Sequence, residues 1–156
     1  MSVSERLAQL GIELPSVAAP VASYVPAVVV GNQVWTSGQL PFVSGELPAT
    51  GQVGAQVSAD DAAGLARTAT LNALAAIDAA VGIDAVTRVL KVVGFVSSAP
   101  DFHGQPAVIN GASDLLGEIF GEAGAHARSA VGVAELPVDS PVEVELVVEF
   151  DPAAAR

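Results

Sequence analysis

Arg128 opens a run of small residues, Arg128-Ser129-Ala130-Val131-Gly132-Val133, and a later run, Val142 to Phe150, carries Glu143, Glu145 and Glu149. A guanidinium is planar, permanently charged and forked, so it grips a carboxylate through parallel hydrogen bonds where an ammonium offers a point charge. That geometry suits a small organic acid. The same residues also admit a structural reading. A tight hairpin would set Arg128 beside Glu149 as a cross-strand ion pair worth about 0.2–1 kcal/mol, and the glutamates would form an ordinary solvated face. Residue chemistry leaves both readings standing, and spacing does not choose among the glutamates.

Composition narrows the chemistry further. The chain has no cysteine, which excludes a disulfide framework, a thiolate nucleophile and a thiolate zinc site. His103 and His126 are its two histidines, too few for a histidine metal cluster, and both read as loop residues. Ser37 has no neighbouring histidine base in sequence and does not read as a nucleophile. Six Lys and Arg against seventeen Asp and Glu give a net charge of -11, which repels a phosphate backbone and disfavours nucleic-acid binding.

Positioning these groups requires a folded core. At 156 residues the chain reads as one domain, 1–156, with a short helix and extended arm over 1–20. A chain of this size buries about 70% of its unfolded surface without disulfide or metal staples. Hydrophobic residues make up 51% of it but aromatics only 4%, so its helices should pack closely on small side chains. The apolar stretch Val17 to Val30 is interrupted by Pro20 and Pro26 and has no basic segment before it. A soluble, cytoplasmic protein is expected.

Ser2-Val3-Ser4-Glu5 is a capping-box pattern, and with Leu7, Leu10 and Gly11 it predicts a short helix, read as a surface appendage. Pro15, Pro20 and Pro26 keep the next segment extended. Val28-Val29-Val30 and Gln33 to Ser37 flank Gly31-Asn32 as a β-hairpin. The glycine- and proline-rich stretch Gly38 to Val57 reads as a loop with room for a short strand pair.

Ser58-Ala59-Asp60-Asp61 starts a helix that stops at Gly82, with Leu71, Leu74, Ile77 and Val81 facing inward. Thr87 to Val96 reads as a central strand covered on both faces. Pro106 starts a second helix running to about Phe120. Arg128 to Ala134 and Val142 to Phe150 are expected to close the fold as a hairpin, the last strand alternating apolar and acidic residues. The pattern predicts an α+β layer architecture, two helices on one face of a mixed sheet.

Thr36-Ser37-Gly38-Gln39-Leu40-Pro41, Ala127-Arg128-Ser129, Leu136-Pro137 and Val142-Glu143-Val144-Glu145 occur in the order and spacing of the YjgF family. This family is also called the Rid (reactive intermediate deaminase) or endoribonuclease L-PSP family, and the chain resembles it from about Tyr24 to Glu149. The resemblance implies a chorismate-mutase-like fold and a homotrimer with sites in clefts between subunits. It implies hydrolytic deamination of reactive 2-imino or enamine acids, such as 2-aminoacrylate and 2-iminopropanoate, without a cofactor. Carried over residue by residue, it makes Arg128 the carboxylate anchor and Glu143 the group that positions water. It places Tyr24, Ser37, the Gly38 amide and Asn110 at the substrate. Many members have cysteine where this chain has Ala130, so only the backbone carbonyl of Ala130 inherits a role, toward the imine nitrogen. The family also admits a trimer that binds small carboxylates without turnover, and its name carries a ribonuclease or translation-inhibitor role that the acidic charge disfavours.

Overall fold

The computed structural model describes residues 1–20 and 22–156. Its sheet is organised around β5 (Val142–Phe150), whose Val142, Val144, Leu146, Val148 and Phe150 are buried while Glu143, Glu145, Val147 and Glu149 occupy the opposite face. β2 (Gln33–Thr36) and β3 (Val86–Ser97) both pair antiparallel to β5. β1 (Ala27–Val30) joins β2 in the expected hairpin, with Gly31 at φ 58° in its turn. β4 (Ala127–Val133) forms the far edge, parallel to β3. The resulting order is β1-β2-β5-β3-β4 in a mixed sheet.

The hairpin expected between the Arg128 and Glu143 runs does not form, because β3 lies between β4 and β5. The chain crosses the end of β3 through a 3-10 turn at Pro137–Asp139, and Ser97 N–H donates to the Pro141 carbonyl at 2.9 Å. The apolar, alternating β5 gains more from an interior place than β4, whose alanine, serine and glycine have little to bury. Arg128 therefore stands opposite Val92, and the ion pair with Glu149 is not made.

α2 (Ala59–Val81) and α3 (Gln105–Phe120) pack on one face of the sheet, α2 against β1, β2 and β5, and α3 against β3 and β4. Ser58 caps α2, its hydroxyl accepting from Asp61 N–H at 3.1 Å. Leu74, Ile77 and Val81 face inward as expected, Leu71 is only partly buried, and Ala62, Ala66, Ala69 and Ala73 form a further buried surface. A Cβ on Gly111 of α3 would collide with the Ala63 carbonyl oxygen of α2, and one on Gly94 of β3 would collide with Ile109. Absent side chains at these points let α3 sit tightly between helix and sheet.

Only one face of β3 is covered by helices. On the other face Lys91, Val93 and Phe95 are partly exposed, and Val28, Trp35 and Val131 are exposed on neighbouring strands. Nor is the N-terminal helix, α1 (Val3–Gln9), an appendage: Leu7 is buried in the core, and Ser4 donates from its N–H and hydroxyl to Asp84 at 2.7 Å each. Those hydrogen bonds hold the Asp84 carboxyl below its ordinary range. The loop after β2 is pinned as well. Asn72, buried on α2, donates to the Leu40 and Phe42 carbonyls at 2.9 and 3.1 Å, and Gln52 donates to the Ser98 and Ala134 carbonyls. No helix among the described residues is long and apolar enough to cross a membrane.

Two glycines of α3 should respond oppositely to the same change. Alanine normally improves a helix interior by about 0.5–1 kcal/mol, and Gly117 has open space around it, so Gly117→Ala should raise the denaturation midpoint. Gly111→Ala should lower the midpoint, through a stability loss of about 1–3 kcal/mol from overpacking. Urea unfolding of both variants checks this pair of signs.

Candidate active site

Arg128 lies on the helix face of β4, partly buried against α3. Pro106, Asn110 and Ser113, spaced four and three residues apart, share one stripe of α3 and meet it. Nη1 of Arg128 donates to Asn110 Oδ1 at 2.8 Å and to Ser113 Oγ at 3.2 Å, and Nη2 approaches the Pro106 carbonyl at 3.4 Å. All three acceptors are neutral. The ion pairs among the described residues are Arg67–Glu118 and Arg156–Asp78, so the Arg128 charge has no carboxylate beside it. Partial burial makes an unbalanced cation a strong attractor for an anion. Ala130 follows on the same face, opposite Gly94.

A second group assembles around Glu143. Gly38 packs so closely over this side chain that a Cβ there would come within 2.7 Å of Glu143 Cδ. The Ser37 hydroxyl donates to the Val25 carbonyl, and Ser37 N–H donates to the Pro26 carbonyl at 2.8 Å. Ser37 thus fastens the arm that carries Tyr24. A pocket of about 350 Å³ results, with Tyr24, Gly38, Leu40, Phe42, Pro137 and Glu143 in its walls. Burial, and secondarily the neighbouring Glu145 charge, push the Glu143 carboxyl above its ordinary range; burial does the same to Glu145. A carboxylate raised in this way is a better base near neutral pH than an ordinary glutamate.

The three glutamates, equivalent in sequence, now differ. Glu143 lines the pocket, whereas Glu149 sits opposite Gln33 and Arg88 and accepts from the Thr87 hydroxyl at 3.2 Å. One chain does not unite all the predicted site residues. Arg128 pairs through Val92 to Leu146 on the helix face, while Glu143 projects from the opposite face of the sheet. Arg128, Asn110 and Ala130 fall in one group, and Tyr24, Ser37, Gly38 and Glu143 in another. Ser113 is not among the expected site residues, although it stands three residues after Asn110, the spacing of helix neighbours.

Removing the Glu145 charge should lower the titration midpoint of Glu143. The sign follows from electrostatics: a neighbouring anion favours the protonated acid, so Glu145→Gln restores part of the ordinary acidity. Carboxyl-carbon NMR across the titration reads this directly, and an unchanged or higher midpoint would contradict the coupling.

Residues 4–150 match the family model for YjgF/chorismate-mutase-like endoribonucleases. Over 151 residues the chain is 45% identical to Protein TCP17 of Trypanosoma cruzi, covering 96% of this chain and 94% of that protein. It is 36% identical over 131 residues to 2-iminobutanoate/2-iminopropanoate deaminase of Escherichia coli strain K12, covering 83% and 88% of the two chains. The crystal structure of an Agrobacterium tumefaciens protein of unknown function is similar at a TM-score of 0.87 and 44% identity, with 96% of this chain and 92% of that one covered. The match extends from α1 to the end of β5, and the mixed sheet with its helices on one face accords with it: the chain belongs to the YjgF/chorismate-mutase-like endoribonuclease family.

Proposed function

We propose that this protein hydrolyses reactive 2-imino and enamine acids, of the 2-aminoacrylate and 2-iminopropanoate type, to 2-keto acids and ammonia. The observation that carries the reading is Arg128, a partly buried cation held by neutral oxygens with no carboxylate partner among the described residues. The activity named for the Escherichia coli relative supports the substrate class. Arg128 and the Gly38 amide orient the substrate carboxylate, and the Ala130 carbonyl accepts a hydrogen bond from the protonated imine nitrogen. Glu143 takes a proton from water as its oxygen adds to the imine carbon, then gives that proton to the amine nitrogen of the carbinolamine; the C–N bond breaks to release ammonia as the hydroxyl proton is lost and the keto acid forms. No cofactor is required, because a protonated imine is already electrophilic.

We further propose that the catalytic unit is a cytoplasmic homotrimer with its sites between subunits. In this reading the two groups are half-sites: they lie on opposite faces of one sheet, so a second copy is needed to bring an Arg128 to a Glu143. The exposed Val28, Trp35 and Val131, with Phe95 and Val147 among them, give the uncovered sheet face an apolar surface suited to self-association. Light scattering should give three times the 15.6 kDa chain mass, and a monomer mass would remove the proposed assembly. No basic stripe accompanies the net charge of -11, which argues against ribonuclease activity.

A coupled assay that generates 2-aminoacrylate enzymatically and follows its decay tests the reaction. The protein should accelerate decay, and Arg128→Ala should lose about 2–5 kcal/mol of transition-state stabilisation, the usual cost of truncating a desolvated charge contact. An Arg128→Ala variant as active as the wild type would remove the anchor. Pyruvate binding without turnover would instead identify a carboxylate-binding protein.

A further inference from the structure

Behind Arg128 runs a chain of hydrogen bonds that the proposed reaction leaves unused. His126 Nδ1 lies 2.6 Å from the Gly124 carbonyl, and a carbonyl oxygen can only accept, so Nδ1 carries the hydrogen. His126 Nε2 lies 2.9 Å from Ser113 Oγ; in the neutral ring it is the acceptor, and Ser113 donates its only hydrogen there. The Ser113 lone pairs then receive Arg128 Nη1 at 3.2 Å, while Asn110 Oδ1 receives the other Nη1 hydrogen at 2.8 Å. Every donor on the path from Arg128 Nη1 through Ser113 and His126 to Gly124 thus meets an acceptor.

This arrangement dictates which edge of the guanidinium remains open. With both Nη1 hydrogens committed to α3, the parallel Nε–H and Nη2–H pair points directly away from Nη1, as trigonal geometry requires. The structure records no partner for Nε among the described residues, and the Pro106 carbonyl faces Nη2 only at 3.4 Å. That open pair is the fork a carboxylate would occupy.

The geometry points to Ser113 and His126 as positioning residues that lock the Arg128 guanidinium with its Nε–Nη2 edge presented to a carboxylate. This rests on the reading of Arg128 as the anion anchor. A nucleophilic role for Ser113 fits the surroundings poorly. It sits in the middle of α3, whose backbone amides are committed to the helix and form no oxyanion hole, and Arg128 already donates to its oxygen. His126 in turn is held by a backbone carbonyl that fixes its tautomer, so each link orients the next.

The test compares the full-length wild type with Ser113→Ala, His126→Leu and His126→Gln, by calorimetric titration with pyruvate and by steady-state hydrolysis of 2-iminopropanoate. Ser113→Ala and His126→Leu should weaken pyruvate about tenfold to a hundredfold, the range for losing a hydrogen bond to a charged group. KM should rise in parallel, with kcat changing much less. His126→Gln offers an amide oxygen near the position of Nε2 and should recover most of the affinity. Thermal melts of all variants separate unfolding from misorientation.

Unchanged pyruvate affinity in Ser113→Ala and His126→Leu would overturn the inference. So would a His126→Gln variant as impaired as His126→Leu, or covalent labelling of Ser113 by a fluorophosphonate. Wild-type protein that binds pyruvate but does not hydrolyse the imine, with the variants weakened as expected, sustains the positioning role and removes the deaminase reading. A wild type that binds neither compound overturns both.

Discussion

The close seat of α3 against α2 and β3 governs the geometry around Arg128. Gly111 brings its backbone against Ala63 of α2, and Gly94 lets Ile109 settle onto β3. These contacts flank Asn110 and stand within one helical turn of Ser113. Because interiors pack like crystals, a helix held at two such points has little freedom to slide or roll. The polar stripe Pro106, Asn110 and Ser113 is therefore delivered to Arg128 at a fixed height and angle, set by packing among small, apolar residues.

Charge is divided across the sheet with equal consequence. On the helix face, a protein with eleven more acidic than basic side chains places a cation among neutral oxygens only. On the open face, Glu143 and Glu145 are crowded and partly desolvated, which costs free energy when both are ionised and raises their affinity for protons. Each arrangement is incomplete alone, one lacking an anion and the other a proton or a cation. Their chemistry is complementary, and the sheet separates them within a single chain.

Several roles became visible only with partners in view. Ser37 resembles a ligand-binding residue in its motif, yet its hydroxyl fastens the arm beneath Tyr24. Asn72 is buried on α2 and holds the Leu40 and Phe42 carbonyls that shape the pocket wall, a role that depends on a loop some thirty residues before it. His126 reads as a loop histidine because nothing local marks it; its significance comes from Ser113 thirteen residues earlier and Gly124 just before it. Hydrogen bonds between segments leave no periodic trace in a sequence.

By itself the sequence determined the elements and the chemistry on offer. Alternation in Val142 to Phe150, the serine cap and stripe of α2, the Gly31-Asn32 turn and the motifs around Ser37 and Arg128 are short-range patterns, and short-range sterics and amphipathicity are what such patterns encode. The tertiary structure decided strand order, helix docking and hydrogen-bond partnership. It inserted β3 between β4 and β5, replaced an adjacent hairpin by a crossover, docked α1 into the core and gave Arg128 to α3 rather than to Glu149. Those outcomes rest on which apolar surfaces gain most from burial together, a comparison across the whole chain that no local run of residues contains.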